Sequence, residues 1–81
     1  MDIDIDPDGD DAPYVQLADQ LRTAITTGKI DRKLPSHMEL EEASGLSRNT
    51  VKKGLDLLKA EGLIVARPGR GMFVVQDDAD G

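Results

Sequence analysis

The sequence predicts an α+β fold, a winged helix-turn-helix in which three helices precede a two-stranded β-hairpin. Three observations carry this. A two-turn helical pattern, a Gly-containing corner and a longer amphipathic helix follow one another between Ser36 and Glu61, the order of a helix-turn-helix. Two β-prone runs, Leu63–Arg67 and Met72–Val75, flank Pro68-Gly69-Arg70-Gly71. All ten Lys and Arg lie between Arg22 and Arg70, away from both termini.

The termini are acidic. Residues 1–11 hold six Asp and no base, and residues 77–81 hold three more Asp. Such segments offer little apolar surface against the entropy of ordering. Both are therefore expected to be disordered, an arm at 1–11 and a tail at 77–81 around a domain at 12–76. Asp4-Ile5-Asp6-Pro7-Asp8-Gly9 fits the start of a calcium loop. The twelfth position of that loop is Val15 rather than Glu, and no helix can precede it. A solvated acidic arm is the better reading.

A first helix is expected over 14–27. Tyr14, Ala18, Leu21 and Ile25 form one stripe, widened by Leu17 and Ala24. Pro13 suits a first helical turn, and Gly28 can adopt positive φ past the last one. Residues 30–33 read as loop, with Leu34 adding a short extended piece. Ser36 with Glu39 forms a capping-box pattern for a second helix ending near Ser44. That helix buries Leu40 and Ala43, with Met38 as a further candidate. Gly45 turns the chain, and Leu46 plugs the corner. Ser47 caps a third helix, Arg48 to about Glu61, with Val51, Leu55 and Leu58 inward and Leu57 at the edge. Gly54 costs that helix about 1 kcal/mol of propensity, so a close helix contact is expected there. Pro68 and Gly69 suit the two central positions of a type II turn.

Composition narrows function. The 81 residues carry a net charge of −6, no Cys, one His and two aromatic rings. Disulfide frameworks and thiolate metal sites are excluded, and a zinc site built on imidazoles has no ligands. Binding of single strands by stacking needs more rings. No apolar run reaches the ~18 residues of a membrane span. A soluble, cytoplasmic protein without cofactor or metal is expected. The acidic total hides a basic middle. Residues 12–76 hold ten basic against seven acidic side chains, and Ala43 to Gly71 hold six against two.

That excess falls where a helix-turn-helix meets DNA. The second helix of the motif presents its N-terminal residues to the major groove, which makes Ser47, Arg48, Asn49, Thr50 and Lys52 the candidates. Arg pairs with guanine and Asn with adenine through two hydrogen bonds. Ser47 and Thr50 suit phosphate at the positive end of the helix. Lys53 lies to the side, as a phosphate contact or a solvated charge. Arg67, Gly69 and Arg70 form a basic wing tip. Each feature alone is common on soluble proteins; their joint placement on these two elements carries the reading.

These residues also resemble a known family. Pro13-Tyr14-Val15-Gln16-Leu17, Leu34-Pro35-Ser36, Gly45-Leu46-Ser47-Arg48-Asn49-Thr50-Val51, Glu61-Gly62-Leu63 and Gly69-Arg70-Gly71-Met72-Phe73-Val74 are similar to the DNA-binding domain of GntR-type bacterial transcription regulators, over about residues 13–75. The resemblance implies binding to double-stranded operator DNA as a two-fold dimer. It places Arg48, Asn49, Thr50 and Lys52 on the DNA from the recognition helix. Gly69 and Arg70, with Arg67 near them, go to the minor groove or backbone.

Three departures stand out. The usual run Pro-Ser-Glu-Arg-Glu-Leu is Pro35-Ser36-His37-Met38-Glu39-Leu40 in this sequence. Met38 thus removes an expected Arg contact, and His37, beside Ser36, is the candidate to replace it. The loop at residues 30–34 is about two residues short, and Arg32 and Lys33 there offer substitute phosphate contacts. The family's large ligand-binding domain is not expected in this chain, nor the usual dimerising segment. A homodimer would form on DNA only, or through the first helix.

The function expected is sequence-specific binding of double-stranded DNA to regulate transcription, as a repressor. A protein-interaction module and an N-terminal fragment of a larger ligand-responsive regulator are the alternatives. No nucleophile–base set or phosphate-binding Gly loop points to an enzyme.

Overall fold

The computed structural model describes residues 2–75. The tail at 77–81 lies outside the described residues. The elements are α1 (Pro13–Thr26), α2 (His37–Ser44), α3 (Arg48–Ala60), β1 (Ile64–Arg67) and β2 (Gly71–Val74). This is the expected order, with ends moved by one or two residues.

The helix ends follow the caps read from the sequence. Pro13 opens α1, while Ala12 contributes no side-chain cap. Ser36 caps α2 and Ser47 caps α3. Leu17, Leu21, Leu40, Val51, Leu55 and Leu58 are fully buried and join the three helices into one core. Full burial of one such side chain contributes about 1.5–3 kcal/mol.

Gly54 explains how α1 and α3 come close. A Cβ there would stand 3.0 Å from the Tyr14 carbonyl oxygen and 3.1 Å from Leu17 Cδ2. The same pair of helices is tied at the other end. Arg22 donates from Nε to Glu61 Oε1 at 2.8 Å and from its terminal nitrogens to Glu61 and Asp19. Those carboxylates hold the guanidinium pKa above its ordinary value, and the Arg22 hydrogen bond holds the Glu61 carboxyl below its ordinary 4.5.

The hairpin is antiparallel, with Ile64 opposite Val74, Val65 opposite Phe73, Ala66 opposite Met72 and Arg67 opposite Gly71. Gly69 has φ +75°, and the Arg70 N–H closes on the Arg67 carbonyl at 2.9 Å. That is the type II turn its Pro-Gly pair demands.

Three expectations need correction. Met38 is 62% exposed and outside the core. It lies two residues before buried Leu40, about 200° around the helix, so it points the other way. The loop at 30–33 is more structured than expected. Ile30 is buried, and its N–H bonds the Ala24 carbonyl at 3.0 Å. Residues 32–34 pair with β2, Val74 N–H to Arg32 O at 2.7 Å and Leu34 N–H to Met72 O at 2.9 Å. The extended piece read at Leu34 thus becomes a third, short partner of the hairpin.

The third correction concerns the arm. Residues 2–6 dock along α1 instead of lying free. Ile3 is buried and Ile5 packs against the core. The Asp4 N–H donates to Gln20 Oε1 at 2.9 Å, and Gln20 Nε2 donates back to the Asp4 carbonyl at 2.7 Å. Gln16 does the same for Asp6, at 2.7 Å each way. Two residues of extended chain span about 6.6 Å, and four residues of helix about 6 Å. Glutamines one turn apart therefore match alternate residues of a strand. The count of carboxylates overlooked this match, and with it the alternation that sends Ile3 and Ile5 inward.

Two outcomes follow from the α1–α3 contact. Gly54→Ala should lower stability by about 1 kcal/mol net, because overpacking at a rigid carbonyl costs about 1–3 kcal/mol against about 1 kcal/mol of propensity regained. Thermal unfolding would show a fall of roughly 4–8 °C; a rise would show that the helices can separate freely. The Arg22–Glu61 tie should be acid-sensitive. A carboxyl held low in the folded state contributes stability that is complete above its ordinary 4.5 and drains away as pH falls through the folded value. The midpoint gap between wild type and Glu61→Gln should be open at pH 7 and narrow below pH 4.5. A gap independent of pH would assign Glu61 no ionic role.

Candidate nucleic-acid interface

The interface begins with the corner between α2 and α3. Ser36 accepts from the Glu39 N–H at 3.1 Å, and its own N–H donates to Glu39 Oε1 at 2.9 Å. The Ser36 N–H, and after it the Ser36 hydroxyl, hold the Glu39 carboxyl below its ordinary range. His37, the first residue of α2, is half-buried. At the other end, Gly45 has φ +74°, and its N–H bonds the Glu41 carbonyl at 2.8 Å. The Ser44 hydroxyl ties Leu40 O at 2.6 Å to the Leu46 N–H at 3.2 Å. The turn is thus braced by its own polar groups.

Ser47 then starts α3. Its Oγ accepts the Thr50 N–H at 3.3 Å and lies 2.9 Å from Thr50 Oγ1. Ser47, Arg48, Asn49 and Lys52 are exposed and Thr50 is half-buried. Val51 and Leu55 hold the opposite side in the core. The candidates on this helix therefore sit together on the free side of its first turns. Lys53 does not join them: its Nζ stands 5.9 Å from the centre of the Tyr14 ring, a cation–π contact on the α1 side. Glu41 was not among the candidates. Its Oε2 receives the Arg48 Nε–H at 3.2 Å across the corner.

The wing carries the second basic group. Arg67 stands 5.8 Å from the Phe73 ring centre, and Lys33 stands 6.0 Å from it. Arg32, Arg67, Arg70, Phe73 and Val74 line a recess of about 250 Å³. The ion pairs found among the described residues involve none of these three arginines. Arg32 reaches this place because residues 32–34 are zipped to β2. Its charge was legible in the sequence; its company was not. A larger open groove of about 1140 Å³ mixes Asp2, Asp19 and Glu39 with Lys29, Arg32 and Lys33. It presents no field of one sign and is a poor candidate for a polyanion.

Comparison with known proteins settles the kinship. The description of the bacterial regulatory proteins of the gntR family matches residues 13–74. The chain belongs to the GntR family. That is a family of DNA-binding transcription regulators rather than enzymes, and its winged helix-turn-helix is the fold seen in this chain. YtrA of Sulfolobus acidocaldarius, a GntR-family transcription factor, is 35% identical with a TM-score of 0.84, over 94% of this chain and 82% of that one. The AraR DNA-binding domain in complex with operator ORE1 is 34% identical with a TM-score of 0.73, over 76% and 78%. The HTH-type transcriptional repressor NagR of Bacillus subtilis (strain 168) is 44% identical over 63 residues, which are 75% of this chain and 26% of NagR. The chain spans about a quarter of the length of curated relatives such as NagR and Rv0792c of Mycobacterium tuberculosis. No helix among the described residues is long and apolar enough to cross a membrane.

Proposed function

We propose that this GntR-family chain binds a specific double-stranded DNA sequence and represses transcription by occupying it. The observation that carries the reading is the exposed basic chemistry on the two outward elements: Arg48 and Lys52 in the first turns of α3, and the recess of three arginines at the wing. A local excess of positive charge at both places suits a duplex backbone. The AraR domain, bound to its operator, supports the same use of the fold.

Arg48 and Asn49 read base edges in the major groove, with Lys52 on the face of Arg48. Ser47 and Thr50 hold phosphate beside them. Ser36 and His37, at the start of α2, meet the backbone across the corner. Gly69 lets the wing approach closely, and Arg67 and Arg70 grip phosphate or the minor groove. Arg32 joins them in place of an arginine on α2. Two copies occupy half-sites about 34 Å apart, assembled on DNA. The unit that does this is residues 12–76, with no cofactor, and it works on cytoplasmic DNA.

Fluorescence anisotropy on a duplex selected from a randomised library tests the reading. Arg48→Ala should weaken binding to the selected duplex by about 1–3 kcal/mol and relax one base preference. Arg32→Gln should instead weaken binding to every duplex alike and lower the slope of log K against log salt by about 0.9. Failure of the wild type to enrich any sequence, with no binding at low salt, would remove the reading.

A further inference from the structure

We infer that Glu41 is a specificity-determining residue that positions Arg48, an inference that rests on the DNA-binding reading above. Glu41 sits in the last turn of α2 and Arg48 at the first position of α3, seven residues apart. Both backbones are fixed where they meet. The Glu41 carbonyl accepts from Gly45 in its left-handed cap, and Arg48 follows a capping serine. The Glu41 side chain is 28% exposed and its carboxylate takes the Nε–H, while the Arg48 side chain is 70% exposed.

That division of atoms decides the role. A guanidinium has five N–H donors. With Nε held from behind by Glu41, the two terminal nitrogens form the outer edge, the fork that matches O6 and N7 of guanine. A flexible side chain so braced loses less freedom when it reads a base. The carboxylate also adds negative charge beside the surface that meets phosphate. It therefore weakens binding to any duplex on which Arg48 finds no guanine. Orientation toward one base and repulsion from the rest act together as discrimination.

Two variants separate the effects. Glu41→Gln removes the charge, and Glu41→Asp keeps it but shortens the reach. The probes are the duplex selected by the wild type, the same duplex with each guanine replaced in turn, and a random duplex of equal length. The guanine in question is the one whose replacement no longer matters in Arg48→Ala. Glu41→Gln should bind the random duplex severalfold more tightly and lose about tenfold of the preference at that guanine. Glu41→Asp should lose the same preference while binding the random duplex as the wild type does. If both variants keep the wild-type preference, or if Arg48→Ala abolishes none, the inference is overturned while the DNA-binding reading stands. If the wild type selects no sequence, the reading falls, and the inference with it.

Discussion

The Tyr14 carbonyl leaves 3.0 Å for a side chain on residue 54, and glycine fills that space with nothing. Two helices can lie this close only where one of them gives up a Cβ. The cost is about 1 kcal/mol of helix propensity. Against it stand three fully buried aliphatic side chains on α3 alone, Val51, Leu55 and Leu58, each contributing more than that. Arg22 fixes the far end of the same helix through Glu61. With its middle and C-terminus seated on α1, α3 presents the outer side of its N-terminal turns to solvent. Those turns carry Ser47, Arg48, Asn49 and Lys52. The proposed interface is what the packing leaves over.

Local rules made much of this legible. The capping box at Ser36, the cap at Ser47 and the Pro-Gly turn are chemistry of adjacent residues, and each appears where the chain spells it. The stripe Val51-Leu55-Leu58 is periodicity, also local. What escaped the sequence depends on contacts between residues far apart in it. Gln16 and Gln20 read as two polar positions on α1; their spacing matters only when an extended segment lies alongside. Arg32 reads as one more loop charge until β2 takes up residues 32–34. Glu41 reads as a solvated acid on a short helix. Only the angle at Gly45 brings it to Arg48. Met38 has a simpler reason: its hydrophobicity suggests the core, but its angle from Leu40 turns it to solvent.

The net charge of −6 also changes meaning once the arm has a place. Screening confines an exposed charge to about 8 Å at physiological salt, so sums over the chain matter less than addresses. A free arm bearing six carboxylates would sample the whole surface, basic face included. The glutamine pairs restrict it. Asp4 and Asp6 are held by their backbones over α1, and Asp2 lies at the groove that also holds Arg32 and Arg70. The acidity of residues 2–6 therefore stays beside α1 and the groove next to it.

The same logic runs at the recognition helix on a smaller scale. An acid near a DNA-reading surface weakens attraction to phosphate wherever it sits. Fixed at Nε of Arg48 it also orients a fork of donors, and orientation is what distinguishes a base reader from a counterion. Glu41 occupies that position because a two-turn helix ends in a left-handed glycine, and because the next helix opens with an arginine directly after its cap. Moving the carboxylate one residue along α2 would rotate it by about 100°, out of line with Arg48. The charge would remain and the bracing would be lost. On the proposed reading, selectivity is set by the angle of a corner as much as by the residues on the helix that reads.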